Sequence, residues 1–432
     1  MLSRVTGGPI APKGQSDKHF IVSVFAVILP RHDRLMTGGP FGGNAVITDA
    51  GKSQVGRRLG RTGLELTLEA VLRAISDAGL SPDDIDGVAS YPGPGVPDAG
   101  FSGATVQDVR NALGLRSRWY LSSTETAGQV GPAIEACMAV TLGLADHVVV
   151  FRSVWESTAA QQAGGGRASV LFSGGKLPPQ LEWVAPFGAL SAANWLAMPA
   201  QRYMHDFGLT REQLGWIAIN ARRNAELNPD AIYREPMTMD DYLSARMISE
   251  PLCLYDCDAP CDGATAVIIS RRAAASGLPR HPLTVESVGG GMFERATWDQ
   301  RSDVTTMAAH DTAATLWDNT ELTAADVDMA QLYDGFSFLT VMWLEAMGFC
   351  EHGKAGEFID GGERIALDGS LPINTSGGQL SGGRLHGMGF LHEACVQMWE
   401  EGGDRQVPNT PEVVAVGVGG GPVAGAMLLS SR

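Results

Sequence analysis

Short apolar runs bounded by Asp- and Gly-rich turns alternate along this chain with segments whose apolar residues recur every three to four positions. "HVVVFRSV" (His147–Val154) has the nearly continuous apolar character of a strand buried on both faces. "TREQLGWIAINARRNAEL" (Thr210–Leu227) places Leu214, Ile217 and Ala221 on one face, which predicts an amphipathic helix. Such alternation predicts an α/β architecture with buried sheets.

The pattern also repeats. "LSPDDIDGVASY" (Leu80–Tyr91) aligns without a gap to "LTAADVDMAQLY" (Leu322–Tyr333). "EACMAVTLGLAD" (Glu135–Asp146) aligns to "EACVQMWEEGGD" (Glu393–Asp404), and "ATAVIIS" (Ala264–Ser270) to "AGAMLLS" (Ala424–Ser430). Three matches in one order predict a duplicated core. The last pair is much closer together than the other two, so the first copy carries roughly 100 extra residues, between about 154 and 252. The halves are expected at 44–275 and 283–432.

Composition bounds the function. The chain has 432 residues, 44% hydrophobic and 19% charged, with a net charge of −16. An acidic chain without a basic run argues against nucleic acid or a membrane surface as partner. The six cysteines have no disulfide-rich layout, which suits a reducing cytoplasm. "FIVSVFAVIL" (Phe20–Leu29) is too short to span a bilayer, which takes ~20 apolar residues. Residues 1–43 are expected to be a poorly ordered leader, with the fold starting near Asn44.

"NTSGGQLSGGRLHGMG" (Asn374–Gly389), "QLYDGFS" and "VGVGGGPVAGAML", set in this layout, resemble the thiolase superfamily. The nearest likeness is its branch of sterol-carrier, lipid-transfer and side-chain-cleaving aldolase proteins. The resemblance covers about Asn44 to the C-terminus. It implies a five-layer α-β-α-β-α sandwich, a homodimer, and an inserted loop domain over a coenzyme A thioester. It also places Thr126, beside Glu125, where thiolases carry their nucleophilic cysteine. Tyr333 stands where the family has His or Asn, Arg384 at its activating histidine, and Gly417 near its late cysteine. An unactivated threonine hydroxyl does not attack a thioester as a thiolate does. Claisen chemistry is therefore not expected.

Retro-aldol cleavage of a β-hydroxyacyl-CoA needs no acyl-enzyme and fits these losses; the resemblance suggests a steroid side chain as acyl group. Tyr333, assisted by His386 or Asp334, is expected to take the β-hydroxyl proton, with Glu125 or His386 returning one. Asn374, Gly377, Gly378, Arg384, Gly419 and Gly420 are the candidate oxyanion and substrate-binding positions. Two alternatives stay open: a divergent acyl-CoA acetyltransferase and a non-catalytic acyl-CoA or lipid-binding subunit. No permanent cofactor is expected, coenzyme A entering as the substrate's thioester. The resemblance also suggests a separate OB-fold, zinc-ribbon partner protein.

Other motifs read as ordinary. Cys253, Cys257 and Cys261 lack the paired spacing and fourth ligand of a zinc site, so no metal is expected. "SGGK" (Ser173–Lys176) lacks the remainder of a P-loop. Arg222, Arg223 and Arg234 could face coenzyme A phosphates by resemblance; as a plain reading they are solvated helix charges.

Overall fold

The computed structural model describes residues 39–92, 100–162 and 182–432. The strands are β1 (Ala45–Lys52), β2 (Gly87–Ser90), β3 (Trp119–Ser122), β4 (His147–Trp155), β5 (Met247–Ser249), β6 (Leu252–Cys253), β7 (Asp262–Arg271), β8 (Leu283–Gly289), β9 (Met329–Leu332), β10 (Val413–Gly419) and β11 (Ala424–Ser430). Nine of them hydrogen-bond in the order β3-β2-β4-β7-β1-β8-β11-β10-β9, while β5 and β6 form a separate hairpin.

The order is nearly symmetric about the β1–β8 junction. β2 and β4 run parallel, as do β9 and β10; β4–β7 and β10–β11 are antiparallel. The repeats sit at corresponding places: β2 against β9, β7 against β11, and the helix Gly131–Thr141 against Gly387–Met398. Only Val46↔Thr284 and Ile47↔Leu283 join the halves across β1–β8.

Alternating side chains build the layers, because successive strand residues face opposite sides. In β7, Ala264, Ala266 and Ile268 pack with Leu66, Val71 and Ile75 of the outer helix Gly63–Asp77. Val267 and Ile269 instead join Met427 and Leu429 of β11 in a central core. That core holds Ala133 and Cys137 of one middle helix and Leu391 and Cys395 of the other. On the far side, Ala426 and Leu428 meet the outer helices Ala308–Trp317 and Ser337–Ala346. The result is a thiolase-like α-β-α-β-α sandwich.

The extra segment in the first copy contributes the helices Ala192–Phe207, Arg211–Glu226 and Met239–Ser244. Leu214, Ile217 and Ala221 are buried, and they enter the same core as Phe338 and Trp343 of the second half. A Thr210/Gln213 capping box fixes the start of the Arg211–Glu226 helix. Arg222 on this helix is buried rather than solvated: its Nε donates to Ser381 Oγ at 3.0 Å and Nη1 to the Glu235 carbonyl. Arg223 and Arg234 are exposed. The Ser173–Lys176 motif lies outside the described residues, as does most of the leader.

Candidate active site

Tyr333 follows β9, where its N–H donates to the Gly417 carbonyl at 2.8 Å. Its ring packs against Phe390 of the middle helix. A Cβ at Gly335 would lie 2.6 Å from that ring, so the glycine in "YDGF" leaves room for the phenol. Burial, reinforced by the Asp258 carboxylate, raises the phenol above its ordinary value.

Asp334 faces the Asn374–Gly389 loop and is fully buried. The Gln379 N–H donates to Oδ1 at 2.7 Å, and burial raises the carboxyl to about 7. Gly378, at φ +55°, stands so close that a Cβ there would meet Asp334 Oδ2 at 1.9 Å.

The loop itself is held from three sides. Asn374 does not present its amide to the cavity. Its Oδ1 accepts from the Leu332 N–H and its Nδ2 donates to the Leu332 carbonyl, both at 2.8 Å. Thr375 donates to buried Glu393, Asn228 donates to the Ser376 carbonyl, and the Ala259 N–H donates to the Gln379 carbonyl. Two of the glycine amides nominated as oxyanion donors are spent internally: Gly377 N–H on Asn374 and Gly420 N–H on Val423. The Gly419 carbonyl accepts from Trp343 Nε1.

Arg384 is likewise engaged. Its Nη2 lies 2.7 Å from Glu156, and its Nη1 lies 3.0 Å from Asp258. The two carboxylates outweigh burial and hold the guanidinium above its ordinary value. A charge so matched is a structural tie more than a free substrate contact.

His386 begins the Gly387–Met398 helix at φ +58° and is 5% exposed. Among the described residues neither ring nitrogen has a hydrogen-bond partner, although Nε2 lies 3.8 Å from Glu156 Oε2. Burial and nearby Arg152 lower its pKa to about 3, so the imidazole is neutral. A small, partly open cavity of about 40 Å³ reaches it, lined also by Gly378, Gln379, Leu385 and Phe390, with the Lys52–Asp230 ion pair on its wall.

Tyr333, Asp334 and Arg384 share the field of Asp258, and Arg384 and His386 that of Glu156, so the four form one polar chamber, of which only His386 lines the cavity just described. Glu125 and Thr126 are not part of this cluster. Glu125 is exposed, and Thr126 Oγ1 is turned to Glu135 at 3.4 Å. The chamber also contains groups with no motif around them: Arg152, Glu156 and Asp258. Arg152 was the most detectable, being a charge inside the apolar run "HVVVFRSV".

The cysteine trio has no common centre of polar contacts. Cys253 donates to the Tyr242 carbonyl, Cys257 to the Cys253 carbonyl, and Cys261 packs with Val154 and Leu385. Among the described residues, His310, Glu345 and His352 do approach metal-ligand spacing. His310 Nε2 is buried without a partner among the described residues, while the other atoms of the group make protein contacts. His310 Nδ1 accepts from the Met307 N–H, while Glu345 accepts from the Gly353 and Ala355 amides and pairs with His352.

A family model described as "Thiolase C-terminal domain-like" matches residues 290–431. The chain is 33% identical over 401 residues to a steroid side-chain-cleaving aldolase of Thermomonospora curvata, covering 90% of this chain and 99% of that one. It is 33% identical to a 17-hydroxy-3-oxo-4-pregnene-20-carboxyl-CoA lyase of Mycobacterium tuberculosis, over 82% of this chain and 92% of that protein. The solved structure of an Ltp2-ChsH2(DUF35) aldolase matches with a TM-score of 0.79 and 31% identity, across 90% of this chain and 98% of its own. Duplicated strand order, layer pattern and these likenesses converge: the chain belongs to the thiolase superfamily, in its sterol-carrier-like branch with the steroid side-chain-cleaving aldolases.

Proposed function

We propose that this protein is a carbon–carbon lyase that cleaves a β-hydroxyacyl-CoA by a retro-aldol reaction, with a steroid-derived side chain as the acyl group. The observation that carries the reading is that Tyr333 and His386 both lie in the field of the Arg384 guanidinium, while Thr126, where the resemblance puts the nucleophilic cysteine, is directed at Glu135 outside that cluster.

The environment divides their roles, since oppositely displaced pKa values separate acid from base. Neutral His386, backed by Glu156, accepts the β-hydroxyl proton. The oxygen's electrons form the ketone as the Cα–Cβ bond breaks, and that pair passes into the thioester as an enolate. Tyr333 gives its proton to the α-carbon and recovers one from the protonated imidazole. Atoms and charge balance without a cofactor. Asp334 and Asn374 act as positioning residues, holding the loop through Gln379 and Leu332.

The solved structure of the Ltp2-ChsH2(DUF35) aldolase supports a separate partner of the DUF35 type for this chain, one that would complete the substrate channel. The test is product analysis with the purified chain, alone and with such a partner co-expressed. A β-hydroxyacyl-CoA should yield ketone and a shortened acyl-CoA in equal amounts without added CoA. Turnover that requires free CoA would favour the acetyltransferase reading; binding without turnover in either preparation would favour a binding subunit.

A further inference from the structure

We infer that Arg152 is a catalytic residue whose Nε–H and Nη2–H receive the thioester oxygen as it becomes an enolate; this rests on the lyase reading above. Arg152 lies in the middle of β4 and is 1% exposed. Its Nη1 donates to the Ser153 carbonyl at 2.6 Å, whereas Nε and Nη2 are buried without a partner among the described residues. The guanidinium lies 4.7 Å from the centre of the Phe101 ring and 5.7 Å from that of Tyr91. Phe101 meets His386 edge-on at 4.7 Å, which ties the unused donors to the proton-accepting side of the chamber.

Burying charged donors and leaving them unmade is costly, so such a group is completed by what binds there. Nε–H and Nη2–H share one edge of a planar cation, the edge that grips carboxylates with two parallel hydrogen bonds. A thioester oxygen gains negative charge only as the carbon–carbon bond breaks, and a fixed cation then stabilises the transition state more than the ground state. Among the donors the sequence pointed to, Arg384 is committed to Glu156 and Asp258, and the Gly377 and Gly420 amides to their own turns.

The test compares two ligands on the purified full chain by calorimetry. Carboxymethyl-CoA carries a carboxylate one bond beyond the thioester carbon and serves as the charged probe of the enolate site; ethyl-CoA is its neutral control. The wild type should bind carboxymethyl-CoA at least ~10-fold more tightly, the scale expected of a charge-assisted pair. Arg152→Gln should abolish that preference while leaving ethyl-CoA affinity unchanged. Arg152→Lys keeps a cation in the core but offers no parallel donor pair, so it should lose most of the preference. If Arg152→Gln does not fold, by circular dichroism and thermal melting, the lysine variant decides. A preference retained in the folded variants overturns the assignment, and so does its absence from the wild type. Because this readout needs no turnover, it stands apart from the product analysis: a wild type that discriminates the ligands yet fails to cleave would remove the lyase reading alone.

Discussion

At the scale of single residues, burial displaces two proton-carrying groups in opposite directions. It raises the Tyr333 phenol and lowers the His386 imidazole to about 3. Neutral imidazole and protonated phenol are therefore the forms present across the physiological range. With those two as base and acid, kcat/KM should stay flat between about pH 5 and 9. A break near pH 7 that disappears in Asp334→Asn would transfer the base role to Asp334, whose carboxyl stands at about 7. Tyr333→Phe removes one oxygen and keeps the packing against Phe390, so the fold should persist. Loss of a positioned acid–base group should slow cleavage at least ~100-fold, read by steady-state assay with unchanged acyl-CoA affinity. Near-normal turnover by this variant would sink the assignment. Tyr333, Asp334 and His386 were legible because the motifs "YDGF" and "GRLHG" carry them. Arg152 and Glu156 were not, since they come together only when β4 delivers its end beside a loop more than two hundred positions away.

At the scale of elements, the Asn374–Gly389 loop owes its shape to packing constraints that its glycines make possible. Gly378 combines a left-handed φ with a Cβ site overlapping the Asp334 carboxylate. Gly143 is a useful contrast, with φ +71° and nothing within 4 Å of its Cβ position. Gly143→Ala should cost only the backbone term, about 1–2 kcal/mol. Gly378→Ala adds a clash inside a closed network and should cost on the order of 2–4 kcal/mol and most of the activity. Urea unfolding of both variants checks the difference; equal losses would mean that the loop yields around Asp334. The duplicated strands were readable because each half repeats the same turn-then-strand grammar, as at Asp84–Ser90 and Asp326–Leu332. The commitments of the Asn374 amide and the Gly377 and Gly420 N–H groups were not readable. Whether a loop donor faces a ligand or its own turn depends on coordinates that a glycine-rich string leaves open.

At the scale of the molecule, the two ends of the nine-stranded sheet are treated differently. The β9 edge is covered: the Ala330 N–H donates to Pro372, the Asn374 N–H to Ala330, and the Asn374 side chain clamps Leu332. At the other end, β3 has no strand paired to its outer edge among the described residues. Around it lie Tyr120 at 67% exposure and Leu142 at 73%, with Met138 and Leu144 also exposed. The helix Gly131–Thr141, which carries Met138, packs beside β3. An open strand edge bordered by large apolar side chains is a template for another strand. Pairing with a second copy is the economical closure, because one patch then serves both subunits about a two-fold axis. The homodimer that the family resemblance implies is predicted to close at this edge. The double variant Tyr120→Lys, Leu142→Glu should halve the mass seen by light scattering at micromolar concentration. Phe187→Glu, a charge introduced at a site 82% exposed, should leave it unchanged. A monomeric wild type would leave the edge to a different partner, and a double variant that remains dimeric would move the interface off β3.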